Sequence, residues 1–265
     1  TGYITRTGTY IMKAADSVNN IELQSEESVY GETTEKDVQR IANILNTNDK
    51  NTVVFIQESD IHSQLCTDGT LSPVGDEYIK RGVQAAESLI NKIDEILKEG
   101  SSVTLGGTMT AFEVGIVDYL KSGRFEYYDR YKENLTDEER KDIYRKAFSC
   151  DGYITGSNAI TEDGELYNVD GNGNRVAAMI YGPDKVIVIA GVNKIVKDLN
   201  EAKSRVERIA APANGKRLNR KTPCAKVGYC MDCKSPERMC REYAVIKRPI
   251  PGRIHVIFLN EELGY

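Results

Sequence analysis

The chain has 265 residues, 40% of them apolar and 28% charged, and a net charge of −5. That length buries a core without covalent staples, and six cysteines are too few for a secreted disulfide scaffold. There is no run of eighteen apolar residues and no leader-like segment, so a cytoplasmic protein without a membrane role is expected.

Residues 1–80 read as an N-terminal extension or small subdomain of unassigned role, and 81–265 as an α/β domain. In the extension, Tyr10–Met12 is a short apolar stretch. A helix follows Thr34 with Val38, Ile41, Ala42 and Leu45 on one face, Thr52–Ile56 has the character of a buried strand, and Asp68-Gly69 and Ser72-Pro73 mark a loop. From Asp76 to Glu99 apolar residues recur at helical spacing (Val83, Ala86, Leu89, Ile93, Ile96, Leu97), and Gly100 stops the helix.

Strands and helices then alternate. The strand Ser101–Leu105 leads through the turn Gly106-Gly107-Thr108 into a helix over Thr110–Lys121, and Phe125–Asp129 is the next strand. Thr136 and Glu139 form a capping box for a helix to Phe148, and the strand Gly152–Thr155 follows. A hairpin turns at Glu162-Asp163-Gly164. Lys185–Ala190 is a strand, Ile195–Ile209 a helix and Arg253–Leu259 a late strand. This alternation predicts an α/β fold with a largely parallel central sheet flanked by helices. The run KVIVIA does not alternate, so Val186–Ile189 are expected to be covered on both faces.

Loops that follow parallel strands gather at one end of a sheet, and four of them carry polar side chains here. The first offers Gly106, Gly107 and Thr108, with Glu113 one turn into the following helix as an acid or base. The second offers Ser157, Asn158 and Thr161, the third Asn174 and Arg175, and the fourth Asn193 and Lys194. Glu113, Arg175 and Lys194 are the candidate catalytic or anion-holding groups, and the others candidate ligand contacts. Each also has a plainer reading as a turn glycine, a solvated carboxylate or a structural arginine. Together they predict one positive cleft for an anionic small molecule such as a hydroxy carboxylate or a sugar phosphate.

Near the C-terminus Cys224, Cys230, Cys233 and Cys240 follow a C-x5-C-x2-C-x6-C spacing within a loop over 222–241. Short spacings bring thiolates to one point, as a [4Fe–4S] cluster or a zinc ion requires; a redox disulfide or unrelated thiols remain open. Cys66 and Cys150 are expected elsewhere, and with only His62 and His255 in the chain any metal is held mostly by sulfur. Residues 214–253 hold eleven Lys/Arg against three Asp/Glu, a local +8 that leaves −13 for the rest. Such charge acidifies thiols. Nucleic acid is disfavoured as a partner, because the chain is acidic overall and the basic stretch has few aromatics.

The strings GGTMTAFEVG, SNAITEDGELYNVDGNGNRVAAMIYGP, GVNKIVKDLNEA, AAPANGKR, TPCAKVGYCMDCKSPERMC and ELGY resemble the LUD-domain (lactate utilisation) family. The resemblance runs from Ile93 to Tyr265, leaves residues 1–80 outside, and points to the subgroup with the cysteine cluster inside the domain. It implies the fold shared by ribose-5-phosphate isomerase, glucosamine-6-phosphate deaminase and CoA transferases. It also implies a setting in L-lactate oxidation, with other iron–sulfur proteins as partners. The expected function is an iron–sulfur oxidoreductase component acting on a small anionic hydroxy acid. The alternatives are a non-redox isomerase or transferase, a cluster-dependent dehydratase, and a zinc-stapled ligand-binding module. A homo-oligomer is compatible with each.

Overall fold

The computed structural model describes residues 9–12, 53–56 and 75–265, with side chains from Ala86 onward. The helix expected after Thr34, the loop at 68–73 and Cys66 lie outside the described residues.

Two strands come from the N-terminal region, β1 (Thr9–Met12) and β2 (Val53–Ile56). Helix α1 (Gly75–Ile96) then leads to β3 (Ser102–Leu105). Leu89, Ile93 and Leu97 are buried at four-residue spacing, so α1 lays one apolar stripe on the sheet. Next come α2 (Thr110–Glu113), α3 (Ile116–Leu120), β4 (Glu126–Tyr128), α4 (Asp137–Lys146) and β5 (Gly152–Thr155). The helix expected over 110–121 is thus two short pieces. Gly115 between them has φ +72°, a left-handed conformation that glycine adopts without penalty and that interrupts the helical ladder. The capping box on α4 is present in both directions between Thr136 and Glu139.

The chain continues through β6 (Ala159–Thr161), β7 (Leu166–Asp170), α5 (Asn174–Tyr181) and β8 (Lys185–Gly191). A 3-10 turn (Val192–Lys194) leads to β9 (Ile195–Val196). The helix expected from Ile195 starts later, as α6 (Leu199–Arg205), because Asp198 caps it by accepting from the Asn200 and Glu201 N–H groups. It also runs further, through a π turn (Val206–Ala210) into α7 (Ala211–Arg217). Pro212 has no N–H for the preceding turn, a sufficient cause for the local widening. Last come α8 (Pro223–Val227), β10 (Glu242–Ile246) and β11 (Ile254–Leu259).

The main sheet has the order β1-β2-β11-β8-β5-β3-β4, parallel throughout except for β1 against β2. Central β8 explains the unalternating run. Ile187 and Ile189 join Leu89, Ile93 and Ile116 on one face, while Val186, Val188 and Ala190 join Tyr153, Met179 and Phe258 on the other. All five are fully buried, at roughly 1.5–3 kcal/mol for each large aliphatic side chain. A second sheet of order β10-β7-β6-β9 packs through Ala159 and Tyr167 on Ala202 and Val206 of the long helix. No helix among the described residues is long and apolar enough to cross a membrane.

Candidate functional site: an arginine-rich cleft against a cysteine loop

Strands β3, β4, β5, β8 and β11 run the same way, so the segments leaving their C-terminal ends share one edge of the sheet. There a cleft of about 480 Å³ opens. Gly107 and Thr108 line it after β3, Arg130 and Tyr131 after β4, Ser157 and Asn158 after β5, and Lys194 after β8. Asn174 and Arg175 enter from α5, Arg217 and Arg220 from the end of the long helix, and Gly264 and Tyr265 from beyond β11. The wall opposite is Pro236 to Arg241, part of the cysteine loop.

Seven of the residues singled out from the sequence therefore share one cavity: Gly107, Thr108, Ser157, Asn158, Asn174, Arg175 and Lys194. Four others have structural surroundings instead. A Cβ at Gly106 would lie 2.5 Å from Thr155 Oγ1, so this glycine lets β3 approach β5. Thr161 Oγ1 accepts from the Glu165 N–H at 3.0 Å and closes the β6–β7 hairpin. Glu113 accepts from the Gly264 N–H at 2.6 Å. Asn193 accepts from the Leu263 N–H at 3.2 Å and donates to the Gly264 carbonyl at 3.4 Å. Glu113 and Asn193 thus pin the 263–264 segment, of which Gly264 forms part of the cleft wall. Helix α2 is a single turn of four residues, so attraction for an anion at this edge falls to side chains.

Arg175 is 7% exposed and bonded on every side. Its Nε donates to Asp170 Oδ1 at 2.9 Å, its Nη1 to the Gly156 carbonyl and Asn168 Oδ1, and its Nη2 to Asn158 Oδ1 and the Val169 carbonyl. Asp170 Oδ2 in turn accepts from the Arg175 and Val176 N–H groups at the start of α5. The five guanidinium donors are used within the protein. Arg175 therefore fixes the loops after β5 and β7 and presents Asn158; it has no donor left for a ligand.

Arg130 does, and the sequence reading missed it. Its guanidinium lies over the Tyr131 and Tyr144 rings, at 5.2 and 4.5 Å from their centroids, and its Nη2 donates to the Tyr144 hydroxyl at 2.9 Å. Its Nη1 lies 3.8 Å from the position a Cβ would take at Gly107. Aromatic packing thus sets a rigid cation beside the Gly-Gly turn with donors still free. The signal available was position alone: Asp129-Arg130-Tyr131 follows a strand as the other loops do but contains no glycine.

Lys194 is 3% exposed and makes no hydrogen bond or ion pair among the described residues. Burial, reinforced by the nearby Arg205 charge and opposed by Glu113, lowers its ammonium pKa to about 7. Arg205 itself donates from Nε to the Asn193 carbonyl at 2.8 Å and from Nη1 to the Asn158 carbonyl at 2.7 Å, joining two loops of the cleft.

Cys224, Cys230, Cys233 and Cys240 together line a second, small cavity of about 20 Å³, with Thr222, Met231 and Met239. Cys150 lies apart, buried, its thiol against the Gly152 carbonyl at 3.1 Å. All five described cysteines are free thiols. No three His, Cys, Asp or Glu side chains among the described residues are drawn together closely enough to bind one metal ion. The four thiols nevertheless fit a sulfur-held centre in their chemistry. The Asp232 N–H points at Cys230 Sγ at 3.4 Å, as amides do around ligating sulfurs. Burial pushes the Cys240 thiol up to about 11 despite the Arg238 charge, so the acidification expected from the basic stretch is overridden here; the three other cysteines add to the rise, a mutual repulsion a bound cation would relieve. Ala211, Arg238, Met239 and Cys240 line both cavities, so they share a wall.

The sequence profile of the LUD domain matches residues 82–259. No curated protein matches the chain. Among solved structures, a DUF162 family protein from Deinococcus radiodurans is 16% identical, with 66% of this chain and 97% of that one covered and a TM-score of 0.30. The 5-methylthioribose 1-phosphate isomerase of Pyrococcus horikoshii OT3 is 15% identical, with 65% and 56% covered and a TM-score of 0.31. The eIF2B delta chain of Chaetomium thermophilum is 15% identical, with 50% and 59% covered and a TM-score of 0.29. The chain spans less than two thirds of the length of the last two.

Proposed function

The chain belongs to the LUD-domain family, and from that premise we propose that it is an iron–sulfur oxidoreductase component acting on a small anionic hydroxy acid. The observation that carries the reading is the shared wall: the cavity lined by four cysteines adjoins the cationic cleft through Ala211, Arg238, Met239 and Cys240. Cys224, Cys230, Cys233 and Cys240 are the residues that would hold a [4Fe–4S] cluster. Such a cluster supplies a one-electron redox site.

The chain's own side chains do the rest. Arg130, Arg217, Arg220 and Arg241 bring fixed positive charge to the cleft, against Asp170 and Glu237, while Arg238 is paired with Asp232 at 2.7 Å. Asp170 is already neutralised by Arg175 at 2.8 Å. A carboxylate entering the cleft meets a net cationic lining in an otherwise acidic protein, which favours both its capture and its retention. Arg130, stacked on two tyrosines, orients it by paired N–H donation. Asn158, fixed by Arg175 and Val169, offers a positioned amide for a hydroxyl.

The experiment is L-lactate binding by calorimetry to the anaerobically prepared protein and to Arg130→Ala. A charged hydrogen bond is worth about 1.5–3 kcal/mol, so Arg130→Ala should weaken binding by about tenfold to a hundredfold. No binding of L-lactate or another 2-hydroxy carboxylate, or equal affinity in Arg130→Ala, would remove the reading.

A further inference from the structure

We propose that Lys194 captures a 2-oxo acid as an imine, so that the cleft holds the carbonyl product of hydroxy-acid oxidation covalently and reversibly. This rests on the reading of the cleft as a carboxylate site, but not on any metal at the cysteines.

The geometry singles out this amine. Among the described residues Lys194 is the only lysine lining the cleft; it is 3% exposed and has no hydrogen-bond or ion-pair partner among them. A buried ammonium left without an acceptor is costly, whereas a buried neutral amine is tolerated. The groups that face it decide its state. Arg205, from the long helix, repels a second cation; Glu113, from α2, opposes this but also accepts from the Gly264 N–H. The Gly264 backbone closes the remaining side, where a Cβ would stand 3.5 Å from Lys194 Nζ. Desolvation beside another cation is how a lysine becomes a nucleophile near neutral pH, and its pKa of about 7 agrees.

The step balances without an oxidant. The Lys194 lone pair attacks the C2 carbonyl carbon, a C–N bond forms, and the carbonyl π electrons move to oxygen. A proton passes from nitrogen to that oxygen to give the carbinolamine. Loss of water then leaves the C=N bond, with the carboxylate held by the cationic lining of the cleft. Hydrolysis reverses each step and frees the acid.

The test uses pyruvate as the probe, with sodium borohydride to reduce any imine to a stable secondary amine. Wild type, Lys194→Met and Lys194→Arg are compared by intact mass and peptide mapping, with folding checked by circular dichroism. One pyruvate-derived addition is expected on wild type, mapped to Lys194 and lost in both variants. No addition, addition spread over other lysines, or an addition surviving in Lys194→Met would overturn the proposal. If the variants fail to fold, the wild-type peptide map alone decides. The chemistry needs no metal, so a colourless protein that still traps pyruvate would fault the cluster and spare the imine. A brown, lactate-binding protein that traps none would do the reverse.

Discussion

Replacing Arg175 by Met separates a positioning role from a ligand-binding one. The arginine ties Asp170, 8% exposed, to Gly156, Asn158, Asn168 and Val169, and so connects the loops after β5 and β7 with the start of α5. Methionine keeps much of the volume, so the cavity cost is small. The Asp170 carboxylate would keep its two N–H donors from Arg175 and Val176 but lose its counter-charge in a buried place. Breaking one side of such a pair costs about 3–5 kcal/mol. At about 2–4 °C per kcal/mol for a domain of this size, the thermal midpoint should fall by about 6–20 °C. Thermal unfolding of Arg175→Met and Arg175→Met/Asp170→Asn measures it, and the double variant should recover part of the loss because its buried charge is gone. A midpoint within about 2 °C of wild type, together with lost lactate binding, would show that Arg175 serves the ligand and not the loops.

Four further outcomes follow from the same contacts. Gly106→Ala drives a Cβ to 2.5 Å from Thr155 Oγ1 and 2.7 Å from the Tyr153 hydroxyl, and should cost about 1–3 kcal/mol in urea unfolding. Gly107→Ala meets only Arg130 Nη1 at 3.8 Å, so its stability should match wild type. Gly115→Ala, forced to φ +72° with nothing within 4 Å, should cost about 1–2 kcal/mol through backbone strain alone. Lys194 gives a pH signature: its folded pKa is lowered to about 7 from 10.5, so the unfolded chain binds more protons between those values. Its contribution to stability should therefore rise from pH 7 towards 10.5, and Lys194→Met should be more stable than wild type near pH 7, with the gap closing at higher pH.

How much of this was legible depended on whether the decisive partner was near in sequence. The run Val186–Ala190, the capping box at Thr136 and Glu139, and the strands at 102–105 and 152–155 carry their own signals and stand in the sheet as expected. The break at Gly115 was visible only as a glycine, since nothing local distinguishes a tolerated helix glycine from a left-handed one. The late start at Asp198 was masked because Ile195 and Val196 pair with Ile160 and Thr161, a contact more than thirty residues away. Of the second sheet only the β6–β7 hairpin, turned at Glu162-Asp163-Gly164, was legible; its outer strands were missed for the same reason, since β10 finds β7 across the cysteine loop. In the cleft, glycine-bearing loops drew attention, while Arg130 and Arg205 did not. Glu113 and Asn193 were read as facing a ligand because their true partners, Leu263 and Gly264, lie at the far end of the chain.

The central claim is that the four cysteines beside the cleft hold an iron–sulfur cluster. The direct measurement is anaerobic purification, with reconstitution where needed, followed by iron, zinc and acid-labile sulfide analysis and a visible spectrum, alongside Cys230→Ser/Cys233→Ser. The account predicts a brown protein with iron and sulfide in equal amounts, both lost in the double variant. A colourless protein holding zinc or no metal after reconstitution, or a cluster that survives the double substitution, would contradict it.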